Sequence, residues 1–340
     1  MGVRPTSHGR IVLDHGVGGR LTRDLIRDAF LPKLNNPYLK ELADSAIISY
    51  RTRLAFTTDS FVVSPLVFPG GDIGKLSVCG TVNDLVMVGA RPEYISLALI
   101  LEEGLERTIL EKIVDSIAKI AKVSGVFIVT GDLKVVERGA CDKIFITTSG
   151  IGRIITRRRL SVRNIKPGDR IIITGGIAEH GLAVLAGRQD LSLGLNIKSD
   201  CAALNRLLIP ILGRTDAIRF MRDPTRGGLA ATLNEIAEGS GCGISINEKQ
   251  IPVAGKVRAA CELLGIDPLH MANEGKAVLI VRKQNTDKLL VGLRKHPLGR
   301  LAREIGTVTK AHPGQVVLKT VIGTERIVDM LTGEPLPRIC

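Results

Sequence analysis

The chain switches repeatedly between alternating apolar and polar positions and a three-to-four-residue apolar spacing. These are the periods of half-buried strands and of helices with one buried face. Residues 46–49 and 54–63 alternate and predict paired strands, and 73–90 follows with helical spacing. The pattern then predicts strand 92–101, helix 106–124, strand 126–129 and strand 143–155. A polar, basic stretch over 157–169 separates this series from a second one. That series reads as strands at 170–174, 217–221, 242–246, 277–281 and 304–322, with helices at 178–185, 202–211, 227–239, 253–264 and 286–295. A chain of 340 residues exceeds one comfortable core, so two domains are expected, 1–155 and 156–330, followed by a tail over 331–340.

Composition refines this picture. Hydrophobic residues make up 44% and aromatics only 3%, with no Trp, so the cores must be aliphatic. The six cysteines, at 79, 141, 201, 242, 261 and 340, form no Cys-x-x-Cys pair, which excludes ordinary zinc-site spacing. No run approaches the length of a membrane span, and the first residues lack the apolar core of a signal peptide. A cytoplasmic protein with no membrane partner is therefore expected. The net charge of +13 raises the question of nucleic acid. Apart from Arg157-Arg158-Arg159 the basic residues are scattered, and few aromatics exist to stack bases, so no nucleic-acid partner is expected.

Several short stretches carry candidate chemistry. His15-Gly16-Val17-Gly18-Gly19 precedes an amphipathic stretch, and glycines entering a helix can wrap backbone N–H groups around phosphate. An ordinary entry loop fits the same residues. Asp59 falls near the end of a strand pattern. Lys75 and Asp84 lie nine residues apart on one helix, hence on opposite sides, and Asn83-Asp84 sits between apolar flanks. A carboxylate there requires a partner, a metal or a solvated face. Thr130-Gly131-Asp132-Leu133-Lys134 reads as a loop after a strand, presenting a hard oxygen ligand and an ammonium, as a magnesium–triphosphate asks, although taken alone a Gly-Asp turn with a solvated lysine explains it better. Asp223-Pro224-Thr225-Arg226-Gly227-Gly228 opens a helix, where capping also explains Asp and Thr. Ala272-Asn273-Glu274-Gly275-Lys276 sets a carboxylate just before a strand, in what a simple turn also explains.

The chain ends Pro335-Leu336-Pro337-Arg338-Ile339-Cys340. The prolines favour an extended segment, and residues 332–340 can reach about 25–30 Å at ~3.1 Å per residue. That reach could bring the Cys340 thiol into a cleft of its own domain. The cysteine is last rather than fourth from the end, so this is no prenylation signal.

Together these stretches resemble one family, the hydrogenase maturation factors of the HypE type. These belong to the ATP-binding superfamily of aminoimidazole ribonucleotide synthetase and selenophosphate synthetase. The resemblance runs nearly end to end through His15–Gly19, Phe56-Thr57-Thr58-Asp59-Ser60, Pro69–Leu76, Cys79-Gly80-Thr81-Val82-Asn83-Asp84, the 130–136, 223–228 and 272–276 stretches, and the terminal hexapeptide. It implies an α/β (α+β) architecture of two PurM-like domains. The first joins a second subunit in an intersubunit β-barrel of a homodimer; the second is an α+β sandwich carrying a flexible tail. It implies ATP and Mg²⁺ as cofactors. Asp59, Asp84, Asp132 and Asp223 would hold the metal, and His15, Gly16, Gly18, Gly19, Lys75, Asn83, Thr225 and Arg226 the nucleotide. Cys340 would accept a carbamoyl group from the carbamoyltransferase HypF. ATP-driven dehydration, with Glu274 as base and Lys134 polarising the amide oxygen or the γ-phosphate, would then leave a thiocyanate, whose cyanide passes to iron on a HypC–HypD complex. Two other readings lead elsewhere: a superfamily kinase or synthetase acting on a free small molecule, and a basic scaffold without catalysis.

Overall fold

The computed structural model describes residues 10–15, 24–36, 50–188 and 196–330. The expected strand at 46–49, Gly16, Gly18, Gly19 and the tail with Cys340 lie outside these residues. The first sheet contains β1 (Leu54–Phe61), β4 (Ala90–Glu102), β5 (Phe127–Val136) and β6 (Ile144–Ile154), in the order β1-β6-β4-β5. Between β1 and β4 run the short β2 (Val67–Phe68) and β3 (Gly71–Asp72) and then α1 (Ile73–Met87). Helix α2 (Arg107–Ser124) joins β4 to β5 and allows their parallel pairing.

The second sheet has seven strands, β7 (Arg170–Ile173), β8 (Ile218–Arg222), β9 (Gly243–Asn247), β10 (Val278–Val281), β11 (Arg303–Thr309), β12 (Val316–Lys319) and β13 (Glu325–Ile327). Their order is β13-β12-β9-β11-β7-β10-β8, and only β9 and β12 pair in parallel. The accompanying helices are α3 (Glu179–Ala186), α4 (Asn205–Leu212), α5 (Gly228–Ser240), α6 (Gly255–Leu264) and α7 (Thr286–Arg294). The central strands are apolar on both faces because both faces are covered. Ile171, Ile173, Val278 and Ile280 pack with Leu229, Leu233 and Ile236 of α5. Ile172, Leu279 and Val281 point the other way, into a core continuous with the first domain.

Helix α1 is the hinge of this arrangement. It starts on the Asp72 side chain, whose Oδ1 accepts the Lys75 N–H at 2.8 Å and whose Oδ2 accepts the Ser116 hydroxyl of α2. Thirteen of its fifteen residues are buried, including Val78, Val82 and Val86. A helix apolar on every side needs cover on every side: the first sheet and α2 lie against part of α1, and α4 and β8 of the second domain against the rest. Glycine in a helix interior costs about 1 kcal/mol relative to Ala, yet close packing requires it here. A Cβ on Gly74 would sit 2.5 Å from the Ile113 carbonyl oxygen, and one on Gly80 2.9 Å from the Phe61 ring. Among the described residues no helix is long and apolar enough to cross a membrane.

One expected loop is a strand. Residues 130–134 belong to β5, which runs on to Val136 because β4 supplies a parallel partner as far as Glu102. Gly131 lets the two backbones approach: a Cβ there would lie 2.5 Å from the Leu97 carbonyl oxygen.

Candidate active site

Strand β1 exposes Leu54, Phe56, Thr58 and Ser60 on one face and turns Asp59 toward α1 on the other. The Asp59 carboxylate comes to rest beside Gly80, whose lack of a side chain makes room for the neighbouring Phe61 ring. Asp84 follows one turn along α1, and its Oδ2 accepts a hydrogen bond from Thr57 Oγ1 of β1 at 2.8 Å. From the second domain come Asp223, immediately after β8, and Glu274, in the turn before β10. Asp59, Asp84, Asp223 and Glu274 line one small cavity of about 50 Å³ together with Thr225 and Arg226. The structure thus gathers three of the four expected metal ligands, the expected base and two expected nucleotide contacts, from sequence positions up to 215 residues apart.

Four carboxyl groups around a small cavity cannot all hold charge without a cation. Burial pushes Asp59 above the usual carboxylate range, Asp84 adds to the rise, and Arg226 works against it. Asp84 is raised by burial, opposed by the Thr57 hydrogen bond and Arg222. Asp223 is pushed up to about 7, first by burial and then by the charges of Asp84 and Asp59. Glu274, only 4% exposed, is raised well above the usual carboxylate range, by burial and by Asp223, Asp200 and Asp59. Among the described residues no group of three side chains closes on one point as a ready-made metal cage. An open set of hard oxygens suits Mg²⁺, which binds through one or two carboxylates and keeps positions for water and phosphate oxygens.

The turn bearing Glu274 is fastened on three sides. Asn273 Oδ1 accepts the Ala178 N–H at 2.8 Å, and its Nδ2 donates to the carbonyls of Pro224 and Met271 at 2.9 and 3.0 Å. This ties the turn to the Asp223–Gly228 loop. The N–H groups of Glu274 and Gly275 both donate to the Asp200 carboxylate, at 3.1 and 3.2 Å, and Lys276 Nζ reaches the same carboxylate at 3.1 Å. A Cβ on Gly275 would lie 1.9 Å from the Asp200 carbonyl oxygen, so this closeness needs glycine. Asp200 escaped the sequence reading because nothing in Lys198-Ser199-Asp200 marks it. The need for a counter-charge arises from the burial of Lys276, which only the fold reveals.

Asn83, expected as a nucleotide contact, uses its amide for bonds within the protein. Its Nδ2 donates to Ala202 O at 3.1 Å and Glu274 O at 3.4 Å, and its Oδ1 accepts the Leu204 N–H at 2.8 Å. The amide is a buried strut joining α1 to the second domain and to the Glu274 turn. Lys75 stands at the other end of α1, about 13 Å from Asp84 at ~1.5 Å per residue. Its Nζ donates to Gly70 O at 2.8 Å.

Asp132 and Lys134 sit elsewhere in the chain. They occupy the exposed face of β5, 3.8 Å apart, with both side chains more than 60% exposed. Pairing carries the row from Asp132 through Ala98 and Thr147 to Ser60, so Asp132 is three strands from β1. That is about 14 Å at ~4.8 Å per strand, and Asp59 faces the opposite side of the sheet. His15, in a short turn packed on β5, belongs to that same distant edge; its Nδ1 accepts the Val12 N–H at 3.0 Å.

Family models for the AIR synthase related protein match the chain in both halves, the N-terminal domain over residues 42–154 and the C-terminal domain over 166–319. The carbamoyl dehydratase HypE of Rhodobacter capsulatus is 48% identical over 334 residues, covering 97% of this chain and 98% of its own. The chain belongs to the HypE family of carbamoyl dehydratases. HypE crystal structures share the fold of its two PurM-like domains. One in complex with ATP superposes with a TM-score of 0.93 at 48% identity, covering 97% of this chain and 99% of the other. A HypE chain from a HypE–HypF complex gives 0.80 at 46%, covering 92% and 100%.

Proposed function

We propose that this chain dehydrates a carbamoyl group carried on its own Cys340 to a thiocyanate, at the expense of ATP, as a step in hydrogenase maturation. The observation that carries the reading is the carboxylate cavity with Glu274 buried at its wall, in a chain ending in Pro-Leu-Pro-Arg-Ile-Cys. The ATP-bound relative and the family's dehydratase name support it. The atoms balance as S-carbamoyl cysteine plus ATP giving S-cyano cysteine, ADP and phosphate. The amide oxygen takes the γ-phosphoryl group and leaves as phosphate, and the nitrogen gives up both its protons.

Asp59, Asp84 and Asp223 would hold Mg²⁺, which when bound screens the charge of the triphosphate. Thr225 and Arg226, beside these carboxylates, orient the phosphates. Glu274 accepts a nitrogen proton: burial among other acids gives its carboxylate a proton affinity well above an ordinary glutamate's. Asp200 and Asn273 keep that carboxylate in place as positioning residues.

Asp132 and Lys134 complete the site from a second copy of the chain. The exposed face of the first sheet carries Phe56 and Phe127, 70% and 46% exposed, which a dimer would cover. In such a homodimer the β5 edge of one subunit meets the cavity of the other, and the Lys134 ammonium polarises the amide oxygen or the γ-phosphate. His15 on that edge, with Gly16, Gly18 and Gly19 of the same sequence string, serves as a phosphate contact, while Lys75 serves the phosphates from the start of α1. A HypF carbamoyltransferase, the partner in the relative's complex, loads the thiol in the cytoplasm, and a HypC–HypD complex takes the cyanide.

Intact-mass measurement of the tail after incubation with ATP, Mg²⁺ and a carbamoyl-donor system tests the reading. The native chain passes through the carbamoylated state and loses one water. Cys340→Ala gains no mass, and Glu274→Gln stops at the carbamoylated state. Full dehydration by Glu274→Gln would remove Glu274 from the chemistry.

A further inference from the structure

The basic run at Arg157–Arg159 plays no part in the chemistry above, yet the fold builds it into a cavity. A space of about 460 Å³ opens between the interdomain segment and one end of β8, lined by Arg158, Arg159, Arg163, Arg219, Arg282 and Asp216. That volume lies in the range of small-molecule sites. The carboxylate cavity is at the opposite end of the same strand: Arg219 and Asp223 are four residues apart, about 13 Å at ~3.3 Å per residue.

Two buried polar atoms on residues lining this cavity lack a protein partner. Thr156 is 7% exposed and its hydroxyl makes no hydrogen bond; the Arg282 Nε is also buried and unpaired. Of the five guanidinium groups, Arg219 is bonded to Asp169 at 2.9 Å. Arg158, Arg159, Arg163 and Arg282 form no ion pair with any described residue, and only Asp216 offers a negative charge in the lining. The wall is also held in place. The Ser161 N–H donates to Arg219 O at 3.0 Å, and Asn164 Nδ2 donates to Arg159 O at 2.7 Å, which fixes the segment against β8.

We propose that this cavity is a second anion site, which takes a di- or polyphosphate group, free or carried by a nucleotide. Guanidinium forks match phosphate oxygens two at a time. Four such forks around one half-open cavity suit several charges packed closely together. An acidic peptide spreads its charges along about 3.3 Å of chain per residue and sets fewer of them against these arginines than a di- or polyphosphate does. Leu212 and Ile218 add a nonpolar wall on which the rest of a nucleotide can lie.

Titration calorimetry on the full chain in EDTA, with pyrophosphate and with ADP, tests the site. Without a divalent cation the carboxylate cavity repels phosphate, so binding reports on the arginines. One anion per chain is expected, weakening steeply with salt. Arg158→Ala/Arg163→Ala, both at exposed positions, is expected to weaken it at least about tenfold without changing the melting curve. Equal affinities would mark a free polyphosphate as the ligand, and ADP binding at least about tenfold tighter a nucleotide. Absence of binding by either probe, binding unchanged in the double variant, or binding of a poly-glutamate peptide but neither phosphate would overturn the proposal.

Discussion

Asp223 and Glu274 hold acids where water is scarce and other acids are close. Their pKa values rise on folding, so the metal-free native state keeps protons that the unfolded chain has already released. Between about pH 4, the ordinary carboxylate value, and the Asp223 value of about 7, the native state binds more protons than the unfolded state. Stability of the metal-free protein therefore falls as pH rises through this window. Thermal melts in EDTA are expected to give a higher midpoint at pH 5 than at pH 8. Asp223→Asn should flatten that slope, and Mg²⁺ with ATP should raise the midpoint most at pH 8. A metal-free chain that melts higher at pH 8 than at pH 5 would contradict the electrostatic picture. At this scale the sequence was informative about these acids, since Asp59, Asp84, Asp223 and Glu274 each sit in a distinctive local string. It could not show Asp200, whose surroundings are ordinary and whose importance arises from Lys276 and the Gly275 backbone arriving from 75 residues away.

The helices and strands followed the apolar periods closely, with the largest departures at two elements. Residues 130–134 carry Gly and Asp, which read as a turn, but the neighbouring strand continues and draws them into the ladder. The consequence is functional, because alternation in a strand sends Asp132 and Lys134 to one face together. Helix 202–211 begins later, at Asn205, since residues 202–204 are taken up by the Asn83 amide and the Glu274 carbonyl. Helix α1 thus organises the site through one buried side chain. Asn83→Ala leaves the Leu204 N–H and the Ala202 carbonyl without their side-chain partner, at an expected cost of about 2–4 kcal/mol. Urea denaturation should show that loss, and the yield of dehydrated tail should fall even where the protein remains folded. A variant with unchanged stability and yield would show that α1 and the Glu274 turn are not coupled through this amide.

At the scale of the molecule, the two domains clamp α1 and create a carboxylate cavity between them, while Asp132 and Lys134 face outward on the far edge of the first sheet. The local strings in the sequence named both sets, but only the strand order β1-β6-β4-β5 shows that one chain cannot bring them together. The proposed homodimer would do so, each copy presenting its cavity to the other's β5 edge. The most direct test mixes Glu274→Gln with Lys134→Ala and follows dehydration of the carbamoylated tail by intact mass. Each variant alone is expected to stall. A mixed dimer has one site with an intact Glu274 from one subunit and an intact Lys134 from the other, so the mixture should recover dehydration. A mixture as inactive as its two components would contradict a site assembled from two chains.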